Sequence, residues 1–230
     1  MSFFTTYSKK LEYLIAGVIF LITFAVYFST MAPTVSFWDT GEFIATSHIL
    51  GVPHPPGSPL FLLVGKFFSL IPISSDIAFR VNIFSPIISA LTISLLFLIC
   101  NQFINRIDSS DNNKFFKMWS SLTASLTFAF THSHWFNAVE TEVYAFSGFM
   151  TALVVFLIMR WSQKIHDSNH IIYLIFISYI IGLATGLHLL NLLTIPFIGL
   201  IIYFSIGKLS TKNLILTFIF SLIIFFGIQS

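Results

Sequence analysis

Residues 11–59 read LEYLIAGVIFLITFAVYFSTMAPTVSFWDTGEFIATSHILGVPHPPGSP. Leu11 to Met31 is long and apolar enough to cross a hydrocarbon core of roughly 30 Å at about 1.5 Å per residue. The continuation from Pro33 to Pro59 cannot cross. It gathers Asp39, Glu42, His48, His54, Trp38 and five prolines into one short polar loop. Ionisable groups kept beside hydrocarbon are costly and are usually retained for chemistry or transport, so this loop is the predicted site. Lys9 and Lys10 give the N-terminus a signal-like start, but the apolar run exceeds a cleavable core of about 7–15 residues and is read as a retained span.

The rest of the chain has the composition of a frame for that loop. Hydrophobic residues make up 56% and charged residues 9% of the 230, against roughly 25% charged in soluble domains, and mean hydropathy is +0.91. The sequence therefore predicts an all-α polytopic membrane protein, a single transmembrane domain over residues 1–230 with its first outer loop at 32–80. Lys and Arg are scattered, which excludes the clustered basic footprint of a nucleic-acid-binding protein. Cys100 is the only cysteine, so no intrachain disulfide forms.

Seven spans are expected: 11–31, 82–103, 118–131, 143–159, two folded back on each other between 171 and 206 near Gly186, His188 and Asn191, and 213–228. Thr40–Leu50 and Leu60–Ile71 are too short to cross and are read as two interfacial helices separated by the proline run. Nine of the eleven basic residues (Lys9, Lys10, Arg106, Lys114, Lys117, Arg160, Lys164, Lys208 and Lys212) fall in alternate connections. The positive-inside rule makes that face cytoplasmic. The opposite face then carries Asp39, Glu42, His48, His54, Lys66, Asp76, Arg80, His132, His134, Glu140, Glu142 and His188.

Each polar group has a structural and a chemical reading. Asp39 and Glu42, three apart, share a helical face and can point into one cavity; equally, Asp39 can cap a helix with Glu42 at N3, or Ser36 can cap with Asp39 at N3. The run VPHPPGSP cannot be helix interior, and it holds His54 on a stiff backbone. His132, His134, Glu140 and Glu142 bring imidazoles and carboxylates together, but match no zinc-helix spacing such as H-E-x-x-H, so a divalent metal is not favoured and no cofactor is expected. His188 and Asn191 either bind an anionic head group or satisfy backbone at a turn. Arg80, with Asn82, is either a snorkelling anchor or a phosphate clamp.

Four segments, APTVSFWDTGEFIATSHILGVPHPPGSPLF, FRVNIFSPIISAL, HWFNAVETEVYAF and GLATGLHLLNLL, occur in that order between residues 32 and 193. Together they resemble the protein O-mannosyltransferase-like family of multi-pass proteins, which includes transmembrane protein 260 of vertebrates and is placed among the GT-C glycosyltransferases. The resemblance implies a GT-C-like bundle and a catalytic acid in the first outer loop, at Asp39. Where O-mannosyltransferases proper carry adjacent Asp and Glu, this chain has Asp-x-x-Glu. Family members are usually longer, so the chain is expected to be an N-terminal portion.

The implied activity is transfer of a mannose-like sugar from a polyprenyl-phosphate carrier to a hydroxyl acceptor such as protein Ser or Thr. Asp39 would be the base and Glu42 its partner, with substrate contacts from His54, Arg80, His134, Glu140, Glu142, His188 and Asn191. Expected partners are the lipid-linked donor, membrane lipids and the acceptor. The expected location is a bacterial inner membrane, with the site facing the periplasm or exterior. Two rivals remain: a transporter or lipid-carrier flippase, which needs ionisable groups near the bilayer midplane, and a non-catalytic membrane fragment.

Overall fold

The structure is a computed structural model that describes residues 2–108, 110, 113–206 and 210–229. Among these there are eleven α-helices, one 3-10 turn and no strand. Helix α1 (Ser2–Thr30) ends where Ser29 and Thr30 turn their hydroxyls back onto Val26 O and Pro33 follows. Helices α2 (Thr40–Ile49) and α3 (Pro59–Leu70) are the two short helices expected in the first loop. Leu50, in the left-handed region at φ 54°, stops α2, while Pro59 opens α3 at a position whose N–H would be unsatisfied in any case. Gly65 lets these two helices touch, since a Cβ there would lie 2.8 Å from Ser47 Cβ.

Helix α4 (Ile77–Asn82) is capped by Asp76, whose carboxylate accepts from Ala78 N at 2.7 Å, and continues past a break at Ile83 into α5 (Phe84–Ile107). Then come α6 (Lys114–Ala129), α7 (His132–Ala138), α8 (Val143–Gln163) and α9 (Ile171–Thr185). The 3-10 turn Leu189–Leu193, α10 (Thr194–Ile206) and α11 (Thr211–Gln229) complete the described chain.

Five stretches are long and apolar enough to cross a membrane: Lys9–Thr30, Ile77–Ile107, Val143–Gln163, Leu189–Ile206 and Thr211–Ile228. The remaining two of the seven expected spans, α6 and α9, have 16 and 15 residues, about 24 and 22 Å of helix. Each is cut short by polar sequence: the first by His132–Asn137, which forms α7 instead, the second by the reversal at Gly186–His188. The chain turns near Gly186, His188 and Asn191 as expected, but α9 and α10 pack against α8 rather than tightly on each other, with a cavity lined by both.

Helix α5 is the central element, packed against α1, α6 and α8. Its buried serines and threonine let neighbours approach, and Ser94 Oγ donates to Ala16 O of α1 at 2.9 Å. Small, hydrogen-bonding residues of this kind replace the hydrophobic drive that helices lack against one another in lipid. Beneath the first loop runs a chain of edge-on rings, Phe43–Phe61 at 5.4 Å, Phe61–Phe84 at 6.2 Å and Phe84–Phe146 at 5.1 Å. It locks α2 and α3 onto α5 and α8, at about 0.5–1.5 kcal/mol per pair beyond burial.

The bundle has two chemically distinct ends. One holds the α1–α2 loop, α4, α7, Glu140–Glu142 and the 3-10 turn. The other joins the start of α1 to the end of α8 through Arg160 and Tyr13, and the ends of α5 and α8 through Arg106 and Ser162; there Lys117 pairs with Asp108 at 3.3 Å and Lys164 lies over the Tyr173 ring. The expected segregation of basic residues from the acidic loop is thus a feature of the fold, with Lys208 outside the described residues.

Candidate active site

Asp39 stands at the N-cap position of α2, with φ −79° and ψ −1°, yet its side chain makes no capping bond. Glu42, at N3, does not reach back to the cap either. Its Oε1 accepts from the backbone N–H of His54 and its Oε2 lies against His54 Nδ1, both at 2.7 Å. The capping box open to this sequence is therefore not formed. The hydrogen bonds from His54 hold the Glu42 carboxyl below its ordinary range, and the same contact raises the imidazole above 6.5. One donor atom each from Asp39, Glu42 and His54 lies within 4.8 Å of the others, close enough to share a cation; the Glu42–His54 bonds account for the arrangement without one.

The backbone is built to keep this trio at the surface. Trp38, immediately before Asp39, sits at φ 60° with 84% of its surface exposed, a conformation that costs a bulky residue energy and recurs at functional sites. The His54 loop turns through Gly57 at φ 74° and is tied down where Ser58 Oγ donates to Leu187 O at 3.0 Å and Leu60 N to Gly186 O at 3.1 Å. Segments far apart in sequence thus share one end of the bundle.

Glu140 and Glu142 are both buried beside this trio, at 3% and 6% exposure, although residues two apart share no helical face. Glu140 Oε2 accepts from Ser36 Oγ at 2.6 Å while Oε1 has no partner among the described residues. Glu142, at the entrance to α8, is pushed up to about 7, chiefly by burial and then by the charges of Asp39 and Glu140. Residues two apart can both turn inward here because the chain is extended, not helical, at Glu142 (φ −142°, ψ 151°).

Of the other sequence-predicted residues, Arg80, Asn191 and His188 make hydrogen bonds within the fold, whereas His134 Nε2 is buried with no partner among the described residues. Arg80 donates from Nη1 to Ser69 O at 3.1 Å and from Nε to Ser74 O, bracing the α3–α4 turn. Asn191 is 2% exposed, donating to Ser147 Oγ and His188 O and accepting from Thr151. His188 Nδ1 accepts from Leu190 N at 3.2 Å, its ring lies 5.4 Å from that of Tyr144, and burial lowers its pKa. His134 packs between Tyr27 and Phe128, and burial takes it down to about 4. With Tyr144 and Leu190 it lines an apolar cavity of about 520 Å³ between α5, α6 and α8.

The sequence pairs Asn82 with Arg80 as an anchor or a phosphate clamp and gives Thr141 no role; the structure instead buries Asn82. Asn82 is fully buried, donates at 2.9 Å to both Ala32 O and Thr34 O, and accepts from Thr141 Oγ1. It clamps the exit of α1 to the entrance of α8, and the signal for it was an amide at the head of an apolar run.

Helices of spanning length, a polar and acidic site confined to one end and basic residues at the other define an integral, multi-pass membrane protein. The chain belongs to the family described as the protein O-mannosyl-transferase TMEM260 N-terminal domain, whose family model matches residues 39–212. It is similar to the protein O-mannosyl-transferase tmem260 of Dictyostelium discoideum, 28% identical over 200 residues covering 81% of this chain and 23% of that protein. It is also similar to the protein O-mannosyl-transferase TMEM260 of Mus musculus, 30% identical over 146 residues covering 63% of this chain and 19% of that protein. The chain spans about a quarter or less of the length of these relatives. No solved structure shows a significant match.

Proposed function

We propose that this chain carries the catalytic end of a GT-C glycosyltransferase that moves a mannose-like sugar from a polyprenyl-phosphate lipid to the hydroxyl of a protein Ser or Thr. The observation that carries the reading is the Asp39 carboxylate, placed where a cap would be, making no cap, and standing beside the Glu42–His54 couple. The names of the relatives supply the reaction class, and the apolar cavity lined by His134 and Tyr144 offers a wall for a lipid chain.

In this mechanism Asp39 takes the acceptor O–H proton as the oxygen attacks the anomeric carbon. The bond from that carbon to the phosphate oxygen breaks on the opposite face, the lipid phosphate departs, and configuration inverts. Glu42 fixes His54, which as a cation faces the departing phosphate. Neutral His188, whose Nδ1 accepts from Leu190 N, offers its Nε2–H, and Arg80, held by Ser69 O and Ser74 O, adds positive charge to that end of the bundle. Glu140 and Glu142 border the acceptor, and Asn191 and His134 shape the pocket wall. We assign the trio to proton and phosphate handling, with no metal in the step. The basic end is cytoplasmic by the positive-inside rule, so the site faces the opposite side, the periplasm if the membrane is a bacterial inner membrane.

The test is transfer of labelled sugar from a polyprenyl-phosphate donor by the full-length protein in reconstituted membranes. Asp39→Asn should reduce turnover by about 10²- to 10⁴-fold, the usual worth of general-base catalysis, with folding unchanged because Asn also suits an N-cap position. Glu42→Gln should cost less, and a chelator should leave transfer intact. Near wild-type turnover by Asp39→Asn would remove it from the mechanism and pass the role to Glu42, Glu140 or Glu142.

A further inference from the structure

At the end of the bundle opposite the acidic site lies a second polar cavity, of about 260 Å³. Four different helices each contribute one cation to its wall: Lys9 from α1, Arg106 from α5, Lys114 from α6 and Arg160 from α8. Against these four positive charges the lining holds, among the described residues, one carboxylate, Glu12. Arg106 and Arg160 are oriented by Ser162 and Tyr13. Lys9 and Lys114 are exposed and form no ion pair or hydrogen bond among the described residues, unlike Lys117, which is matched by Asp108.

Asn101 supplies the second observation. It lines the same cavity, is only 4% exposed, and its carboxamide has no hydrogen-bond partner among the described residues. That carboxamide is therefore open to the cavity and can donate to and accept from a group that enters it. Asn101 lies six residues before the end of α5, about 9 Å below the helix end. The cavity therefore runs from a cationic rim to a neutral donor and acceptor one to two turns deeper. Positive-inside segregation alone calls for basic residues in loops; it requires neither a shared cavity nor a buried amide at its floor.

We infer that this cavity binds a phosphate-bearing anion, and that the anion is the head group of an anionic membrane phospholipid, with its phosphate among Lys9, Arg106, Lys114 and Arg160 and its glycerol or ester oxygens on Asn101. The depth favours a lipid over free phosphate, because a lipid carries ester oxygens below its phosphate whereas inorganic phosphate has nothing to place on Asn101. Basic pockets between helices at the cytoplasmic ends of membrane proteins recognise phospholipid head groups through the same chemistry. The site is separate from the acidic end and does not rest on the transferase reading.

The experiment uses the full-length protein, purified in neutral detergent and stripped of lipid, with phosphatidylglycerol, phosphatidylcholine or inorganic phosphate added back. Lipid retention is read by native mass spectrometry and thermal stability alongside it. Phosphatidylglycerol should be retained and should raise Tm, and phosphatidylcholine should do neither. Lys9→Gln with Lys114→Gln should weaken retention by about 25-fold, at roughly five-fold per basic side chain near an anionic lipid. The same charge change at Lys10→Gln with Lys212→Gln, at the same end but off the cavity, should change it less than two-fold. Asn101→Leu should weaken phosphatidylglycerol retention without altering any response to inorganic phosphate. Protection by inorganic phosphate equal to that by phosphatidylglycerol would keep the anion site and overturn the lipid assignment. Equal losses from the two lysine pairs would reduce the effect to diffuse surface charge and overturn the site.

Discussion

Glu42 receives two hydrogen bonds from one residue, the backbone N–H and the Nδ1 of His54, each 2.7 Å long. A single carboxylate thereby pins both the backbone and the ring of a proline-flanked loop that has no regular structure of its own. The contact is open to solvent, with side-chain exposures of 48% for His54 and 38% for Glu42, so its value is in placement rather than in bulk stability.

The first prediction follows from that contact. The Glu42 pKa is depressed, so its contribution is present above about 4.5 and is lost as pH falls through the lowered value; the His54 pKa is raised, so its contribution is present below 6.5 and is lost as pH rises through the raised value. The protection factors of residues 51–58, with the intrinsic pH dependence of amide exchange divided out, should accordingly be highest between these limits and fall on either side. His54→Ala should abolish the pH dependence of that segment while leaving α5 and α8 protected as before.

A second concerns Glu142. Burial first, then Asp39 and Glu140, raise it from 4.5 to about 7. Its neutral form is the one the fold accommodates, so its contribution to stability is complete below about 4.5 and is lost as pH rises through about 7. Glu142→Gln should match wild type in thermal unfolding at pH 4.5 and exceed it by a few degrees at pH 8. A wild-type Tm that does not fall between those pH values would show that Glu142 ionises without penalty.

Asn82 offers a third. Replacement by Ala removes two donated bonds and leaves Ala32 O, Thr34 O and Thr141 Oγ1 without their partner, a loss of about 2–4 kcal/mol at roughly 1 kcal/mol or more per buried group. The expected readout is a clearly lowered Tm, together with proteolytic sensitivity of the α1–α2 loop. Asn82→Ala with unchanged Tm would place the join between α1 and α8 elsewhere.

Gly65 provides the fourth. Its missing Cβ would meet Ser47 Oγ at 2.4 Å and Cβ at 2.8 Å, so Gly65→Ala should force α2 from α3 at about 1–3 kcal/mol. Ser47→Gly in the same chain should recover most of the loss. Failure of the second change to rescue the first would mean that Gly65 serves backbone flexibility and not close approach.

How far the site could be read in advance depended on the range of the interaction. The short helices α2 and α3 were legible because Pro59, Leu50–Gly51 and the proline run terminate helices through local sterics, whatever the rest of the chain does. The choice between capping and chemistry at Asp39 and Glu42 was not legible, because both use the same spacing. What separates them is the arrival of His54, carried on a turn anchored by Ser58 to Leu187 O, 129 residues away. Arg80 and Asn191 show the converse: their residue types suited ligand binding, but the carbonyls and hydroxyls that engage them come from neighbouring turns and helices.

The amino-acid order alone determined that this is an all-helical membrane protein with its basic residues alternating along the chain, since long apolar runs and charge placement act through the solvent and need no knowledge of packing. It also marked the four segments that carry the family resemblance. Only the tertiary structure decided that Ser36 meets Glu140 across 104 residues, that both Glu140 and Glu142 turn inward, and that four helices place a cation each around Asn101. Those pairings depend on how α1, α5, α6 and α8 are rotated about their axes. That rotation is set by the summed packing of small residues and phenylalanine rings, which no local pattern in the chain encodes.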